Sequence, residues 1–275
     1  MLQKTFFYFY KKLHYKLFSY IIMIKYGDDY YMGNNFFTIS VFLFNILLTC
    51  VFFSKKRIKN FETETYQYMV IFSLLSSIFA LLCYFTIKYS SNFAIINDIV
   101  SKTLLVCYTT WIMLFTAYMV GTSDKIKIKY DNVFKSNIFR IIVALFSIII
   151  YALPLNYHNQ NNIIYSYGPS ANFVFLVAGI MILIWIGIVI TNSKKLLNKK
   201  YFPLYALILL GGIVIYIQHI KPELLLLTYL IGFITFLMYF TIENPDLKLI
   251  QALEVAKEQA DRANAAKTDF LSSMS

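Results

Sequence analysis

The hydrophobic pattern of the chain consists of seven long apolar runs separated by short polar or charged breaks. A helix needs about 20 predominantly apolar residues to cross a bilayer, and each run is close to that length. The third run has the least clear boundary, because Asp98 and Lys102 interrupt its apolar approach. The runs lie at residues 36–54, 68–87, 103–120, 138–155, 171–191, 202–220 and 223–242. The pattern predicts an all-α polytopic membrane protein with a seven-helix transmembrane domain over residues 36–243.

The composition supports a membrane protein, since 59% of the residues are apolar and only 14% are charged. Such a chain cannot cover a water-soluble surface. The formal net charge is +11, but the basic residues cluster in short loops between apolar runs, so we expect no nucleic-acid partner. Cys50, Cys83 and Cys107 lie in apolar runs without paired spacing, which favours packing over disulfide or metal chemistry.

The distribution of Lys and Arg among the loops predicts the orientation in the membrane. The first, third and fifth loops carry thirteen such residues, and the alternate loops carry three. Positively charged loops are retained in the cytoplasm. We therefore expect the N-terminus outside and the C-terminus in the cytoplasm.

Residues 1–35 form a basic, aromatic segment whose apolar stretches are too short to cross a bilayer. Its five lysines conflict with an external N-terminus. Two interpretations remain open: an interfacial helix on an anionic membrane surface, or a non-native start with Met32 as the true first residue.

The last segment, residues 244–275, has the pattern of a dimerising helix. Apolar residues alternate at spacings of four and three, as in a coiled-coil seam, and Lys267 is a polar interruption at a seam position. Several seam residues are Ala, which predicts a weak association suited to carrying a signal. The seam consists of Leu249, Leu253, Ala256, Ala260, Ala263, Phe270 and Met274.

The start of this helix is predicted at about Pro245. Asn244 supplies a capping side chain, Pro245 suits the first turn, and Asp246 places an acid at the positive end of the helix dipole. A residue that precedes proline avoids helical geometry. Asn244 and Pro245 are therefore expected to act as a hinge between the membrane domain and the helix.

The run from Ala263 to Ser275 resembles the start of the dimerisation helix of bacterial sensor histidine kinases. In that family the wording Phe-Leu-Ser-x-Met-Ser is followed by His-Glu-hydrophobic-Arg-Thr-Pro, and this His is phosphorylated. The printed sequence ends immediately before the position of that His, so we expect a truncated module. The resemblance makes Phe270, Leu271 and Met274 packing residues of a dimer helix and makes none of them catalytic.

The resemblance implies the membrane input module of a two-component histidine kinase in the bacterial plasma membrane. It implies a homodimer through the C-terminal helix, a response regulator as partner of the full-length parent, and ATP with Mg only for a kinase core outside this sequence. The chain contains neither G-x-x-x-x-G-K-[ST] nor G-x-G-x-x-G, so it is expected to be inactive as a kinase alone and to hold no cofactor. No metal site is expected, because His158 and His219 have only Glu223 as a nearby carboxylate.

Polar and amphipathic residues inside the apolar runs are few. Asn45, Gln218, Trp111 and Trp185 are expected to anchor at the interface or to form hydrogen bonds between helices. An alternative is a ligand pocket lined by Trp111, Tyr118 and Trp185. The Gly211-Gly212 pair is expected to mark a close helix–helix contact.

The predicted outer loop, residues 156–170, is uncharged and rich in Asn and Tyr. This composition suits hydrogen bonding and stacking on a ligand, and it also suits a plain solvated turn. The rival hypothesis for the whole chain is a polytopic transporter or membrane scaffold with a C-terminal oligomerisation helix. Coupled transporters need ionisable groups at membrane depth, and none lies at the centre of a predicted span.

Overall fold

The computed structural model describes residues 33–55, 61–88, 94–122, 137–160, 163–191, 201–220, 226–243 and 245–274. The basic segment 1–32 lies outside these residues, so the choice between an interfacial helix and a start at Met32 stays a prediction. The described chain is almost entirely helical, as the apolar pattern predicts.

The described residues form eight α-helices, a β-hairpin and a π-helical turn. In chain order they are α1 (Gly33–Ser54), α2 (Phe61–Lys88), α3 (Ala94–Thr122), α4 (Asn137–Ala152), β1 (Asn156–Gln160), β2 (Ile163–Tyr167), α5 (Pro169–Thr191), α6 (Phe202–Ile220), α7 (Leu226–Met238), the π-helical turn Tyr239–Glu243 and α8 (Pro245–Met274). Each of the seven predicted apolar runs thus contains a helix.

Three helices are long and apolar enough to cross a membrane. They comprise Phe61–Ile87 in α2, Ala94–Gly121 in α3 and Pro169–Ile190 in α5. The other apolar stretches whose side chains the structure describes have 10–17 residues: Thr38–Ser54, Phe139–Ala152, Phe202–Gln218 and Leu226–Thr241. These features identify a helical, membrane-associated protein, and crossing by all seven helices stays a prediction.

Two helices begin earlier than the apolar runs indicate. α2 begins at Phe61 instead of residue 68, and α3 begins at Ala94 instead of residue 103. The extension of α3 contains Asp98 and Lys102, whose side chains form an ion pair of 2.9 Å across one helical turn. Because these charges satisfy each other on the helix surface, they do not end the helix.

α3 is the central helix of the bundle. It packs against α2, α4, α5 and α7. In the most apolar stretch of α3, 94% of the residues are buried, whereas 22% are buried in the most apolar stretch of α5. The side-chain contacts show that α7 runs parallel to α3. α2 runs antiparallel to α3, as expected for successive helices joined by a short connection. The hairpin and α8 therefore lie at opposite ends of the bundle.

The predicted outer loop is a β-hairpin. β1 and β2 pair antiparallel, with Tyr157 opposite Ser166, and both strands pack against α2. Gly168 follows the hairpin with a φ of 120°, a conformation that favours glycine, and its carbonyl accepts a hydrogen bond from the Asn172 amide at 2.9 Å. The chain thereby turns directly from the hairpin into α5.

The close helix contact predicted at Gly211-Gly212 is wrong. An added Cβ at Gly211 would meet Leu230 at an ordinary 3.8 Å, and one at Gly212 would meet no atom within 4 Å. The close approach lies instead at Gly232 in α7, where an added Cβ would lie 3.1 Å from Asn45 Oδ1 and 3.3 Å from Val41 Cγ1. A glycine pair in sequence does not show which side of a helix faces a neighbour.

Candidate functional site

The three aromatic residues of the predicted pocket lie in one buried region. Trp111 stacks on Phe115 of the same helix at a ring distance of 5.5 Å, and Phe115 meets Trp185 of α5 edge to face at 5.3 Å. Tyr118 lies one turn farther along α3 and contacts Tyr66 of α2 at 6.4 Å. All five side chains are buried. The structure brings the residues together, and a ligand pocket among them stays a prediction.

Both indoles form hydrogen bonds between helices, as the sequence predicts. Trp111 Nε1 donates to Thr235 Oγ1 of α7 at 3.0 Å, and Trp185 Nε1 donates to Thr116 Oγ1 of α3 at 2.9 Å. Asn45 of α1 behaves in the same way, because it exchanges hydrogen bonds of 3.0 Å with the carbonyl and hydroxyl of Ser73 in α2. These bonds satisfy polar groups that would otherwise be costly in an apolar interior.

Thr235 is the residue at which α2, α3 and α7 meet. Its hydroxyl accepts the Trp111 N–H and donates to the Ile231 carbonyl at 2.7 Å, while its carbonyl accepts the Tyr66 hydroxyl at 2.6 Å. Nearer the hairpin, the Tyr108 hydroxyl bonds the hydroxyl of Thr228, about two turns before Thr235 on α7. α7 is therefore held to α3 by directional bonds as well as by apolar packing. The sequence offers no signal for this, since threonines are common in such helices.

A second polar site lies at the hairpin end of α3. Lys102 Nζ contacts Asp98 Oδ2 at 2.9 Å and donates to the Tyr151 carbonyl at the end of α4 at 3.1 Å. Asp98 Oδ1 accepts a hydrogen bond of 3.0 Å from the Tyr157 hydroxyl of β1. The Lys102 side chain is 9% exposed and that of Asp98 is 40% exposed. The ion pair thus connects α3 with α4 and with the hairpin.

Asn97 extends this site toward α2. It is buried, and its Oδ1 accepts hydrogen bonds from Thr86 at 3.0 Å and Ser101 at 3.4 Å. Its Nδ2 has no hydrogen-bond partner among the described residues. Ser101 also accepts a weak bond of 3.6 Å from the Cys83 thiol. We name Asn97, Asp98, Ser101, Lys102 and Tyr157 together the hairpin-end cluster.

The environment of Tyr157 keeps its hydroxyl protonated. Burial and then the hydrogen bond to Asp98 raise the pKa of Tyr157 above its usual value, and the nearby Ser101 hydroxyl lowers it by a smaller effect. The folded state therefore favours the neutral phenol, and the bond to Asp98 is retained at neutral pH. This contribution to stability is lost only as the pH rises above the ordinary range of a phenol.

The sequence contains a weak signal for part of the hairpin-end cluster. Asp98 and Lys102 have the i,i+4 spacing of a helical ion pair, although in the hydrophobic pattern the two charges look like an interruption before the third run. Nothing in the sequence associates Tyr157 with them, because the contact depends on how the hairpin folds back on the bundle. The same hairpin stacks His158 on Tyr165 at 5.0 Å.

The junction between the bundle and α8 changes helix type. α7 ends at Met238, the π-helical turn occupies Tyr239–Glu243, and α8 begins at Pro245, where the sequence predicts its start. Asn244 lies outside the described residues, so its part in the hinge stays a prediction. π-helical turns are uncommon and often accompany functional sites.

The described side chains of α8 from residue 253 to 270 are all exposed. Leu253 and Phe270 of the predicted seam are each 61% exposed, and Ala256, Ala260 and Ala263 share their row. The side chains of Leu249 and Met274 lie outside the described ones. Glu258 and Arg262 form an i,i+4 ion pair at 3.5 Å. α8 is therefore an isolated helix in the single chain, and its pairing into a coiled coil stays a prediction.

The described residues contain no group of three or more His, Cys, Asp or Glu side chains that could hold a metal ion. Cys83 and Cys107 are buried and Cys50 is exposed, all as free thiols. No protein-family model and no curated protein matches the chain. The hypothesis that the chain is related to sensor histidine kinases therefore rests on the sequence motif in residues 263–275.

Proposed function

We propose that this chain is the membrane input module of a two-component sensor histidine kinase. The observation that carries the proposal is α8: a continuous helix of 30 residues, exposed along its described length, that combines a heptad seam with the Phe-Leu-Ser-Ser-Met-Ser wording at its end. An apolar row left in solvent on a long helix favours pairing with a second copy. At 1.5 Å per residue the helix spans about 45 Å, long enough to carry a movement away from the membrane.

The proposed relay runs through α7. A stimulus that changes the position of α3 also acts on α7, because Trp111 and Tyr108 of α3 are bonded to Thr235 and Thr228 of α7. The π-helical turn and Pro245 follow α7 directly. A shift or rotation of α7 would pass through this junction into α8 and alter how two α8 helices pack. The weak Ala-rich seam allows two packing arrangements of similar free energy.

The remaining parts belong to the full-length parent. A kinase core after residue 275 would carry the phospho-accepting His, bind ATP with Mg and pass the phosphoryl group to a response regulator. Such a core requires α8 to lie in the cytoplasm of a bacterial cell, with the N-terminus outside. This chain alone would sense and dimerise without catalysis.

Cysteine crosslinking in native membranes tests the dimer seam. Cys50, Cys83 and Cys107 are first replaced by Ala, and a single Cys is placed at Ala263 on the seam or at Ala265 on the opposite side of the same helix. We expect Ala263→Cys to form disulfide dimers readily and Ala265→Cys to form them poorly. Equal yields at the two positions, or no dimer at either, would contradict the proposal.

Fusion of residues 1–275 to a kinase core that begins at the phospho-accepting His tests the output. Autophosphorylation should depend on the membrane module, and Ala256→Leu with Ala260→Leu should hold the output at one level by tightening the seam. Ala265→Leu is the matched control on the outer face. A stimulus response that is unchanged in the double variant would count against the relay.

One observation favours the alternative of a coupled transporter. Lys102 and Asp98 are an ionisable pair within a helix that is long and apolar enough to cross the membrane, and such groups are costly there. The pair lies near the hairpin end of α3 and not at its centre. Solute flux into vesicles that contain the purified chain would support transport, whereas a stimulus-dependent change of α8 crosslinking without flux would support the input module.

A further inference from the structure

We propose that the hairpin-end cluster binds a small zwitterion that carries one carboxylate and one ammonium group, as an α-amino acid does. The carboxylate would lie toward Asn97 and Lys102, and the ammonium would lie at the exposed side of Asp98. The chemistry follows from the hydrogen-bonding capacity that these side chains leave unused. Binding as such is independent of the proposed function, whereas its role as the stimulus rests on that function.

Two side chains of the cluster retain unused donors: Asn97, on the side of α3 that faces α2, and Lys102, on the side that faces α4. Asn97 Nδ2 carries two N–H groups without a partner among the described residues. The Lys102 ammonium has three N–H groups, of which two are used by Asp98 and the Tyr151 carbonyl. A buried amide without a partner is unfavourable, so a ligand oxygen that accepts from it would stabilise the complex. A carboxylate oxygen is the strongest acceptor for these donors.

The unused acceptors lie at the exposed side. Each oxygen of an ionised carboxylate can accept two hydrogen bonds, and Asp98 uses one at Oδ1 for Tyr157 and one at Oδ2 for Lys102. With its side chain 40% exposed, Asp98 can accept a further donor without breaking either bond. A ligand ammonium fits this position because it offers several donors and the opposite charge.

The charge balance selects a zwitterion over a simple ion. Lys102 and Asp98 contribute one positive and one negative charge, so the cluster is neutral as it stands. A lone anion or cation would leave one uncompensated charge near an apolar interior, which is unfavourable. A zwitterion adds one charge of each sign, and each new charge meets a partner of the opposite sign.

The position of the cluster lets binding affect the bundle. Tyr157 of the hairpin donates to Asp98, and Lys102 donates to the Tyr151 carbonyl at the end of α4. A ligand that binds Asp98 and Lys102 would therefore change how the hairpin and α4 pack against α3. α3 in turn holds α7 through Trp111 and Thr235. The predicted orientation places this end of the bundle outside the cell, where a solute can reach it.

Thermal unfolding of the purified chain in lipid nanodiscs tests the proposal with three probes: glycine, acetate and methylammonium. We expect glycine to raise the unfolding midpoint and each single-charge probe to raise it far less. Asn97→Leu removes the unpaired donors and should weaken glycine binding by about tenfold. Thr86→Val removes the bond to Asn97 Oδ1 and one to the Cys83 carbonyl of its own helix, but leaves Asn97 Nδ2 in place. It serves as the matched control, with glycine affinity nearly unchanged.

Two charge variants keep the proposal testable if Asn97→Leu fails to fold. Asp98→Asn leaves the cluster with a net positive charge and should shift the preference from glycine to acetate. Lys102→Met leaves a net negative charge and should shift the preference to methylammonium. Absence of a glycine effect on the unaltered chain, or the same probe preference in both variants, would overturn the proposal.

The measurement involves no kinase, so its failure would leave the proposed function standing. If glycine binds and the fusion to a kinase core does not respond to it, the binding site stands and its role as the stimulus site is contradicted. If glycine binds and alters autophosphorylation, and Asp98→Asn removes both effects together, the site and its role are both supported.

Discussion

α3 and α8 are helices of similar length with opposite surroundings. α3 has 29 residues and packs against four other helices, and α8 has 30 residues with exposed side chains along its described length. In α3 the polar groups of Trp111 and Lys102 find partners on other elements. In α8 the Glu258–Arg262 pair lies within the helix itself. The contacts that hold α3 in place lie within the chain, whereas the described side chains of α8 from residue 253 to 270 are exposed.

The different packing of α3 and α8 suggests different roles for them in the proposed function. A helix surrounded by packed neighbours shifts only together with them, because a tightly packed interior deforms little. An isolated helix with a weak seam can adopt more than one pairing. In the proposed function, the bundle would receive the stimulus and α8 would provide the variable output, with the π-helical turn Tyr239–Glu243 between them.

The largest expected effect contrasts two phenylalanines in these helices. Phe115 is fully buried between Trp111 and Trp185, and Phe270 is 61% exposed. Phe115→Ala should lower the free energy of unfolding by about 3–5 kcal/mol, because it leaves a cavity in the core. Phe270→Ala should leave the free energy of unfolding of the bundle nearly unchanged and should reduce dimerisation instead. Denaturant unfolding in mixed micelles measures the first effect, and crosslinking measures the second; a similar loss of bundle stability in both variants would contradict the comparison.

Two buried threonines of the bundle separate bonds between helices from bonds within one helix. Thr235→Val removes the acceptor of the Trp111 N–H and should cost about 1–3 kcal/mol, because the indole donor is left buried without a partner. Thr109→Val removes only a bond to the Leu105 carbonyl of its own helix and should cost less. Unfolding of the two variants under the same conditions gives the comparison. Equal costs would show that the α3–α7 bond is not important for stability.

Two glycines test how closely the helices of the bundle approach. Gly232→Ala places a methyl group 3.1 Å from Asn45 Oδ1, whereas Gly212→Ala meets no atom within 4 Å. Both variants gain a similar amount from helix propensity, so the difference between them isolates the clash. We expect Gly232→Ala to be less stable than Gly212→Ala by about 1–3 kcal/mol in thermal or denaturant unfolding. A reversed order would mean that α1 and α7 move apart easily.

The smallest effect is expected from the exposed ion pair of α8. Both partners are mostly exposed, at 82% for Arg262 and 71% for Glu258, so water and salt screen the pair. Glu258→Gln should reduce the helicity of a synthetic α8 peptide by an amount that corresponds to a few tenths of a kcal/mol, and only at low salt. Circular dichroism at two salt concentrations measures it. A large, salt-independent loss would show that the pair has a structural role that its exposure does not indicate.

The apolar pattern was sufficient to place a helix in each of the seven runs and to start α8 at Pro245, because length, hydropathy and capping are local properties. It was less successful at boundaries. α3 starts nine residues before the predicted position, since Asp98 and Lys102 neutralise each other on the helix. Interhelical bonding by Trp111, Trp185 and Asn45 was also predictable, because buried donors in an apolar run need partners.

The partners themselves could not be predicted. Thr235, Thr116 and Ser73 resemble other small polar residues in the sequence, and only the arrangement of the helices shows that they accept these bonds. The hairpin over residues 156–167 and its contact with Asp98 were likewise outside the reach of sequence patterns. The sequence by itself determined which segments are apolar helices, where α8 begins and which residues of α8 could form its seam. These features depend on residues that are neighbours along the chain. Only the tertiary structure decided that α3 is central, that Gly232 and not Gly212 is crowded, and that Tyr157 bonds Asp98 beside Lys102. These features depend on distances between segments far apart in the chain.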